Sequence, residues 1–305
     1  MSQQLKQVVA QVGRVILGKE VEIRLAVACL LARGHLLIED IPGVGKTTLA
    51  HALATTLGLA FQRIQFTSDL LPADILGVSV YNRDRGSFQF HSGPIFSQVV
   101  LADEVNRATP KAQSALLEAM EEHQVTVEGE TRPLPVPFFV IATQNPSYQV
   151  GTFPLPESQL DRFLMRLQLG YPDTEAERAL LMGEDRRDVL AALPPCMTAD
   201  ELTAVQREVQ HLHVSAPLVH YVQALVAHTR RSPDYLMGLS PRAALALLHA
   251  GRAWAYMHER KHVVPEDVQA VLAGVVGHRL VRPGEARSGS GDELAAELVK
   301  QVPIP

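Results

Sequence analysis

The sequence has few cysteines and few aromatic residues. Only two of its 305 residues are cysteines, Cys29 and Cys196, and they lie far apart without the CxxC or histidine spacing of a metal site. This pattern indicates neither a disulfide framework nor a structural zinc site, and it is typical of proteins in a reducing compartment. We therefore predict a cytoplasmic location.

Long apolar runs and a strong charge of one sign are also missing. No segment approaches the roughly 20 apolar residues that span a bilayer, and residues 1–11 lack the apolar core and cleavage site of a secretory signal. We therefore predict no membrane insertion. The net charge is −5 and only six residues are lysine, which argues against nucleic acid as a partner.

The length favours one large domain or two ordinary ones. Hydrophobic residues make up 47% and charged residues 20%, as in ordinary soluble globular proteins, so the composition excludes disorder as the main state. From residue 1 to about 172, short apolar runs alternate with helical segments, which predicts an α/β fold with a parallel sheet. Residues 99–102 and 138–142 are almost continuously apolar and are therefore expected at the centre of that sheet.

The remaining elements follow from the same patterns. The predicted strands cover 35–38, 61–66, 98–102, 138–143 and 163–169, and the predicted helices cover 20–32, 46–57 and 111–122. Two insertions, at about 70–94 and 124–136, are predicted as hairpins outside the sheet. Residues 173–282 are predicted to be all-helical, with Ser240 and Pro241 as a helix start. Residues 283–305 are predicted as a linker and a short C-terminal segment, in which 292–302 is amphipathic.

A candidate phosphate-binding loop lies between a predicted strand and a predicted helix. The segment reads Pro42, Gly43, Val44, Gly45, Lys46, Thr47 and Thr48. In such loops glycines let backbone amides face phosphate, the lysine neutralises the phosphates and the hydroxyl binds Mg²⁺. The complete GxxxxGK[ST] pattern has glycine where this chain has Asp40. An ordinary strand-to-helix turn is the alternative.

Polar residues also follow two other predicted strands. Asp103 and Glu104 end an apolar strand, where a P-loop enzyme uses the first carboxylate for Mg²⁺ and the second to activate the attacking water. Asn145 ends another strand and could bind that water or the terminal phosphate, although a turn-forming Asn-Pro is the alternative. Arg162 and Arg242 carry forked donors suited to phosphate, and the alternative for each is a solvated surface cation. Arg242 follows the helix start at Ser240 and Pro241, and its side chain is expected to be free to reach towards a ligand between the domains.

Together these segments resemble the MoxR family of AAA+ ATPases, over residues 5 to about 282. The matching segments are LLIEDIPGVGKT (36–47), QFTSDLLP (65–72), GPIF (93–96), LADEVNRA (101–108), ATQNP (142–146) and LSPRA (239–243). The resemblance implies a P-loop α/β subdomain followed by a small helical lid, with ATP and Mg²⁺ as cofactors. The family commonly lacks the first P-loop glycine, which accounts for Asp40.

The resemblance also implies a role for each candidate residue. Lys46 and Thr47 would be the Walker A pair, and Asp103 and Glu104 would be the Walker B pair. Asn145 would be sensor 1 and Arg242 would be sensor 2, while Arg162 would be an arginine finger that acts on a neighbouring subunit. The backbone at Gly18 would contact adenine, and Arg107 is a weaker candidate for the subunit interface. On the same grounds, Thr47 and Asp103 would hold the metal.

An arginine that acts on a neighbour requires head-to-tail contacts, and a homo-hexamer is the family expectation. The resemblance predicts an ATP hydrolase that remodels or activates client proteins, with a von Willebrand factor A domain protein as partner. Two alternatives stay open at this point. A DNA-translocating ring motor or a metal-chelatase ATPase subunit would share the nucleotide-site residues.

Overall fold

The computed structural model describes residues 3–145, 151–284 and 290–304. Within these ranges the strands are β1 (His35–Glu39), β2 (Phe61–Gln65), β3 (Gly77–Asn82), β4 (Ser87–Ser92), β5 (Val99–Asp103), β6 (Gln124–Val127), β7 (Glu130–Pro133), β8 (Phe139–Gln144) and β9 (Phe163–Leu167). The helices are α1 (Gln3–Val15), α2 (Glu20–Leu31), α3 (Lys46–Thr56), α4 (Pro72–Leu76), α5 (Pro110–Glu122), α6 (Glu157–Leu160), α7 (Thr174–Met182), α8 (Arg186–Ala191), α9 (Ala199–Gln210), α10 (Ala216–Arg231), α11 (Pro241–Met257), α12 (Pro265–Val276) and α13 (Gly291–Gln301).

A five-stranded parallel sheet forms the centre of the α/β part, in the order β2-β5-β8-β1-β9. Every residue of β5 and β8 is buried, because helices cover both faces of the sheet, and this confirms the central position predicted from their apolar sequences. The predicted parallel α/β fold is therefore confirmed. Strand β9 ends at Leu167 rather than 169, because the amides of Leu169 and Gly170 bond to a side chain instead of a neighbouring strand.

Both predicted insertions form antiparallel hairpins outside the main sheet. In the β3–β4 hairpin the side chain of Asn82 accepts hydrogen bonds from the amides of Asp84 and Arg85, which closes the turn. Tyr81 and Phe88 pack edge-to-face on this hairpin, with their ring centroids 5.3 Å apart, and both are largely exposed. The hairpin thus presents an aromatic pair to solvent.

Helices α7 to α13 form the all-helical part. Ser240 caps α11 by accepting a hydrogen bond from the amide of Ala243 at 3.0 Å, as its sequence predicts. The amphipathic C-terminal segment forms α13, whose buried Leu294 and Leu298 pack it against α12 of the same chain. Residues 285–289 of the predicted linker lie outside the described residues.

Two apolar clusters cover the faces of the sheet. The smaller cluster packs α4, α5 and the β6–β7 hairpin, through Val125 and Val127, against one face. The larger one is continuous from α1, α2 and α3 across the other face to α9, α11, α12 and α13. The α/β part and the helical part therefore share one hydrophobic core. In the described ranges, no helix combines the length and the apolar character that a membrane crossing requires.

Candidate functional site

The loop from Pro42 to Thr48 follows β1 and leads into α3. Gly43 and Gly45 have φ values of 86° and 94°, which glycine adopts without strain. Gly45 caps α3 without any side-chain hydrogen bond, so the first amides of that helix are left for an anion. The adjoining cavity of about 310 Å³ is lined by Pro42, Gly43, Gly45, Lys46, Thr47, Thr48, Asp103, Glu104 and Asn145.

Lys46 lies at the base of this cavity and is almost fully buried. Its ammonium group donates to the main-chain oxygens of Asp40 at 2.5 Å and Ile41 at 2.8 Å, and to Oδ1 of Asn145 at 2.9 Å. These three bonds use all three donors of the ammonium group. Burial lowers the pKa of Lys46, and the neighbouring carboxylates oppose that shift.

Asp103, at the end of β5, is held by donors on three sides. Its Oδ1 accepts from the hydroxyl of Thr143 at 2.6 Å. Its Oδ2 accepts from Arg63 at 2.7 and 3.0 Å and from the Thr47 hydroxyl at 3.3 Å. A hydroxyl and a carboxylate at this separation are the oxygen ligands that Mg²⁺ prefers, so the residues present fit a magnesium ion.

Glu104 has a left-handed backbone, with φ 57°, which is uncommon for a non-glycine residue and is often found at functional sites. Its amide donates to the Thr143 hydroxyl at 2.8 Å. Its carboxylate accepts from Nδ2 of Asn145 at 2.8 Å, and from Gln65 and Arg107, each at 3.1 Å. Asn145 therefore bonds to both Lys46 and Glu104, and it links the phosphate loop to the second carboxylate.

Sequence reasoning missed three of the residues that hold the two carboxylates, namely Arg63, Gln65 and Thr143. Arg63 and Gln65 lie on β2, which pairs with β5 so that Gln65 is opposite Asp103. Thr143 lies on β8, on the other side of β5. The only available signal was the polar character of these positions near strand ends, because their contacts depend on the order and register of strands distant in sequence.

Two predicted nucleotide-binding residues lie outside the cavity. The side chain of Val44 packs against the larger apolar cluster. Gly18, with φ 70°, lines a separate cavity of about 410 Å³ beside α1 and α2 and lies close to Asp173 and Ala176 at the start of α7. Ile16 connects the two regions, since its side chain lies near Gly45.

The two predicted arginines lie at the opposite edge of the sheet. Arg162 immediately precedes β9, which runs parallel to β1, whereas the phosphate loop follows the far end of β1. A five-residue strand spans roughly 15 Å, so Arg162 lies too far from this loop to contact phosphate there. Its guanidinium donates to the carbonyl of Leu117 and pairs with Glu121 at 2.8 Å.

Arg242 pairs with the same Glu121 and lies 3.9 Å from Asp161. Its sequence position predicts a side chain free to reach a ligand between the two parts of the chain. The structure corrects that expectation, because Glu121 and Asp161 attract the guanidinium to the edge of the sheet that carries Arg162. The chain thus places two arginines together on the side away from its own phosphate loop.

Comparison with known proteins agrees with this geometry. Residues 35–165 match the ATPase family associated with various cellular activities (AAA), and residues 227–299 match the AAA lid domain. Chaperone MoxR1 of Mycobacterium tuberculosis is 38% identical over 97% of this chain and 79% of its own length. The chain belongs to the MoxR family of AAA+ ATPases.

Two further relatives cover nearly the whole MoxR-type chain. YeaC of Bacillus subtilis, described as uncharacterized, is 44% identical over 99% of this chain and 95% of its own. A crystal structure of a candidate ATPase from Cytophaga hutchinsonii superposes with a TM-score of 0.87, at 37% identity, covering 99% of this chain and 95% of the other. The predicted MoxR identity, AAA+ fold and ATP hydrolase activity are confirmed, and the DNA motor and chelatase alternatives are not favoured.

Proposed function

We propose that this MoxR-type ATPase binds ATP and Mg²⁺ in the cavity beside Lys46 and uses hydrolysis to remodel partner proteins. The observation that carries the proposal is the bonded series from Lys46 through Asn145 to Glu104. This series joins the phosphate loop to the carboxylate of Glu104. The hydroxyl of Thr47 and the carboxylate of Asp103, which are suited to a metal, line the same cavity.

The residues of the site have separate roles in this proposal. The amides of the loop and Lys46 bind the phosphates, and Thr47 and Asp103 hold the magnesium ion, the carboxylate acting through its water shell. Glu104 accepts a proton from the attacking water, and Asn145 orients that water. Magnesium, when bound, neutralises the charge that develops on the phosphates. We further propose that the backbone at Gly18 contacts adenine.

The positions of the two arginines support a head-to-tail assembly, and from the family resemblance we propose that it is a homo-hexamer. Arg162 and Arg242 cannot serve the phosphate loop of their own chain from the opposite edge of the sheet. A second subunit would bring its loop to them, so both would act on a neighbour. Repeated contacts of this kind close into a ring or run into a helix, and we propose the ring. In this proposal Arg162 stabilises the transition state and Arg242 reports the nucleotide to the helical part.

The proposed division of labour assigns residues 1–172 to nucleotide binding and 173–282 to the helical lid, with 283–305 as linker and terminal segment. The hairpins at 70–94 and 124–136 would contact clients in the ring. From the family resemblance we propose a protein with a von Willebrand factor A domain as partner. Capture by Glu104→Gln chains held with ATP tests this, and loss of capture in Lys46→Ala is the expected control.

The central experiment compares Lys46→Ala, Glu104→Gln and Glu118→Gln, the last being an exposed position on α5 that serves as the matched control. Lys46→Ala should lose ATP binding, because the site loses its buried cation. Glu104→Gln should bind ATP and lose at least about 100-fold in kcat, the usual contribution of a general base. Turnover by Glu104→Gln equal to that of Glu118→Gln would contradict the assignment.

A mixing experiment tests action between subunits. Arg162→Ala should bind ATP with little hydrolysis, because an arginine finger contributes on the order of 10³ to 10⁵ in rate. Glu104→Gln chains retain Arg162 and Arg162→Ala chains retain Glu104, so mixed assemblies contain complete sites at some interfaces. Activity that returns on mixing supports action on a neighbour, and no recovery counts against it.

A further inference from the structure

Asp40, at the position where the complete P-loop pattern has glycine, makes contacts that the proposed function does not use. Its Oδ2 accepts hydrogen bonds from the amides of Leu169 at 2.5 Å and Gly170 at 2.6 Å. Its Oδ1 accepts from the amide of Ile41 at 2.8 Å. The residue is 8% exposed, so these are buried, charge-assisted bonds, which are stronger than bonds between neutral groups.

The two amides belong to the segment 168–173, which joins β9 to α7 and so connects the α/β part to the helical part. Gly170 has φ 62° and open space around its Cβ position, and glycine adopts this conformation without strain. The carbonyl of Tyr171 accepts from Lys19 at 2.9 Å, and Asp173 caps α7 beside Gly18. The connecting segment is therefore held by residues on two sides of the nucleotide site.

Asp40 is bonded to Lys46 as well. The ammonium group already uses its three donors, and two of them go to the carbonyls of Asp40 and Ile41. A phosphate oxygen can bind Lys46 only when at least one of its three bonds, to Asp40, Ile41 or Asn145, is given up. Two of these three acceptors are main-chain carbonyls, and displacing either one perturbs the main chain at or next to the residue whose side chain holds the connecting segment.

We propose that Asp40 is a positioning residue that makes the connecting segment 168–173 respond to occupancy of the phosphate loop. The proposal rests on ATP binding at this loop, as argued above. Asp40 touches neither phosphate nor metal in this role. It acts through the amides of Leu169 and Gly170, and through them on α7, the first helix of the helical part.

Hydrogen exchange of the full-length chain tests this, with and without Mg²⁺ and a non-hydrolysable ATP analogue. The variant Asp40→Gly restores the complete P-loop pattern and removes the bonds to the segment, whereas Asp40→Asn keeps one acceptor oxygen. Asp185→Gly is the matched control, because Asp185 caps α8 in the helical part without contacting the loop. ATP affinity and kcat are measured on the same samples.

In the wild-type chain the analogue should change exchange at Leu169 and Gly170 at least threefold. In Asp40→Gly these amides should exchange at least tenfold faster than in the wild type and should no longer respond to the analogue. ATP affinity should stay within threefold of the wild-type value, and kcat should be three- to tenfold lower. Asp40→Asn should be intermediate, and Asp185→Gly should behave as wild type.

Two results would overturn the proposed role of Asp40 and leave the proposed function standing. One is exchange at Leu169 and Gly170 that does not change when the wild-type chain binds the analogue, and the other is an Asp40→Gly chain that keeps this response. If Asp40→Gly does not fold, the exchange response of the wild-type chain and that of Asp40→Asn test the proposal instead. Failure of the wild-type chain to bind ATP would overturn the proposed function and this proposal with it.

Discussion

His35 makes the fold sensitive to acid. It is buried at the start of β1, where its Nδ1 accepts a hydrogen bond from the amide of Val140 at 3.0 Å and its Nε2 lies 3.1 Å from the carbonyl of Met120. Because Nδ1 must accept, the ring is neutral and its proton is on Nε2. A second proton would break the bond to Val140 and place an unpaired charge in the core.

Burial lowers the pKa of His35 to about 4 from an ordinary value of 6.5, and the nearby ring of His123, with its centroid 6.2 Å away, adds to the shift. At a pH between about 4 and 6.5 this histidine binds a proton in the unfolded chain but not in the folded chain. The free energy of unfolding therefore falls as the pH falls. Linkage gives a loss of about 2 kcal/mol between about pH 7.5 and pH 5, and of about 3 kcal/mol once the pH is below 4.

Urea unfolding followed by circular dichroism at several pH values measures this loss. His35→Gln removes the titration and keeps a donor and an acceptor, so its stability should depend less on pH by about 2 kcal/mol over the same interval. His220→Gln, at an exposed position, should keep the wild-type dependence. Identical pH dependence in the wild type and His35→Gln would refute the reasoning, since the titrating group would then lie elsewhere.

Two other predictions concern the site and the contact between the two parts of the chain. Thr143→Val removes the hydroxyl that bonds to Asp103 and to the amide of Glu104. It should lower the unfolding free energy by about 2 kcal/mol, measured by denaturation, and kcat by at least tenfold, measured by phosphate release. Gly58→Ala should cost at least about 2 kcal/mol, because φ is 64° and the new Cβ would lie 2.4 Å from a main-chain oxygen of the helical part. Gly86→Ala, with φ 60° and open space, should cost only about 1 kcal/mol, and equal losses would contradict the packing argument.

The sequence predicted the parts of the fold whose signals are local. The apolar runs of β5 and β8, the strand-to-helix loop at Lys46 and the capping serine at 240 each depend on neighbouring residues, and all three agree with the structure. Helix α1 had a usable signal that was missed, since Leu5, Val8, Val9 and Val12 lie at helical spacing and are buried.

The residues that support the site could not be predicted in the same way. Arg63 reaches Asp103 because β2 pairs with β5, and Arg242 meets Glu121 because the folded chain brings the start of α11 beside the end of α5. Neither contact can be predicted from local composition or periodicity, because each joins residues that are distant in sequence. Asp40 appeared in the sequence only as a departure from a pattern, and its bonds to Leu169 and Gly170 became visible once the sheet was assembled.

The single apolar cluster that runs from α2 to α11 and α12 limits how the two parts of the chain can move. A wide hinge opening would expose that shared surface to water, at a cost of about 25 cal/mol for each Å² of apolar area. Small sliding of packed helices keeps the area covered and is therefore the less costly motion. Any movement that nucleotide binding drives within one subunit should thus be a shear, passed on to the rest of a ring by short displacements rather than by a swinging lid.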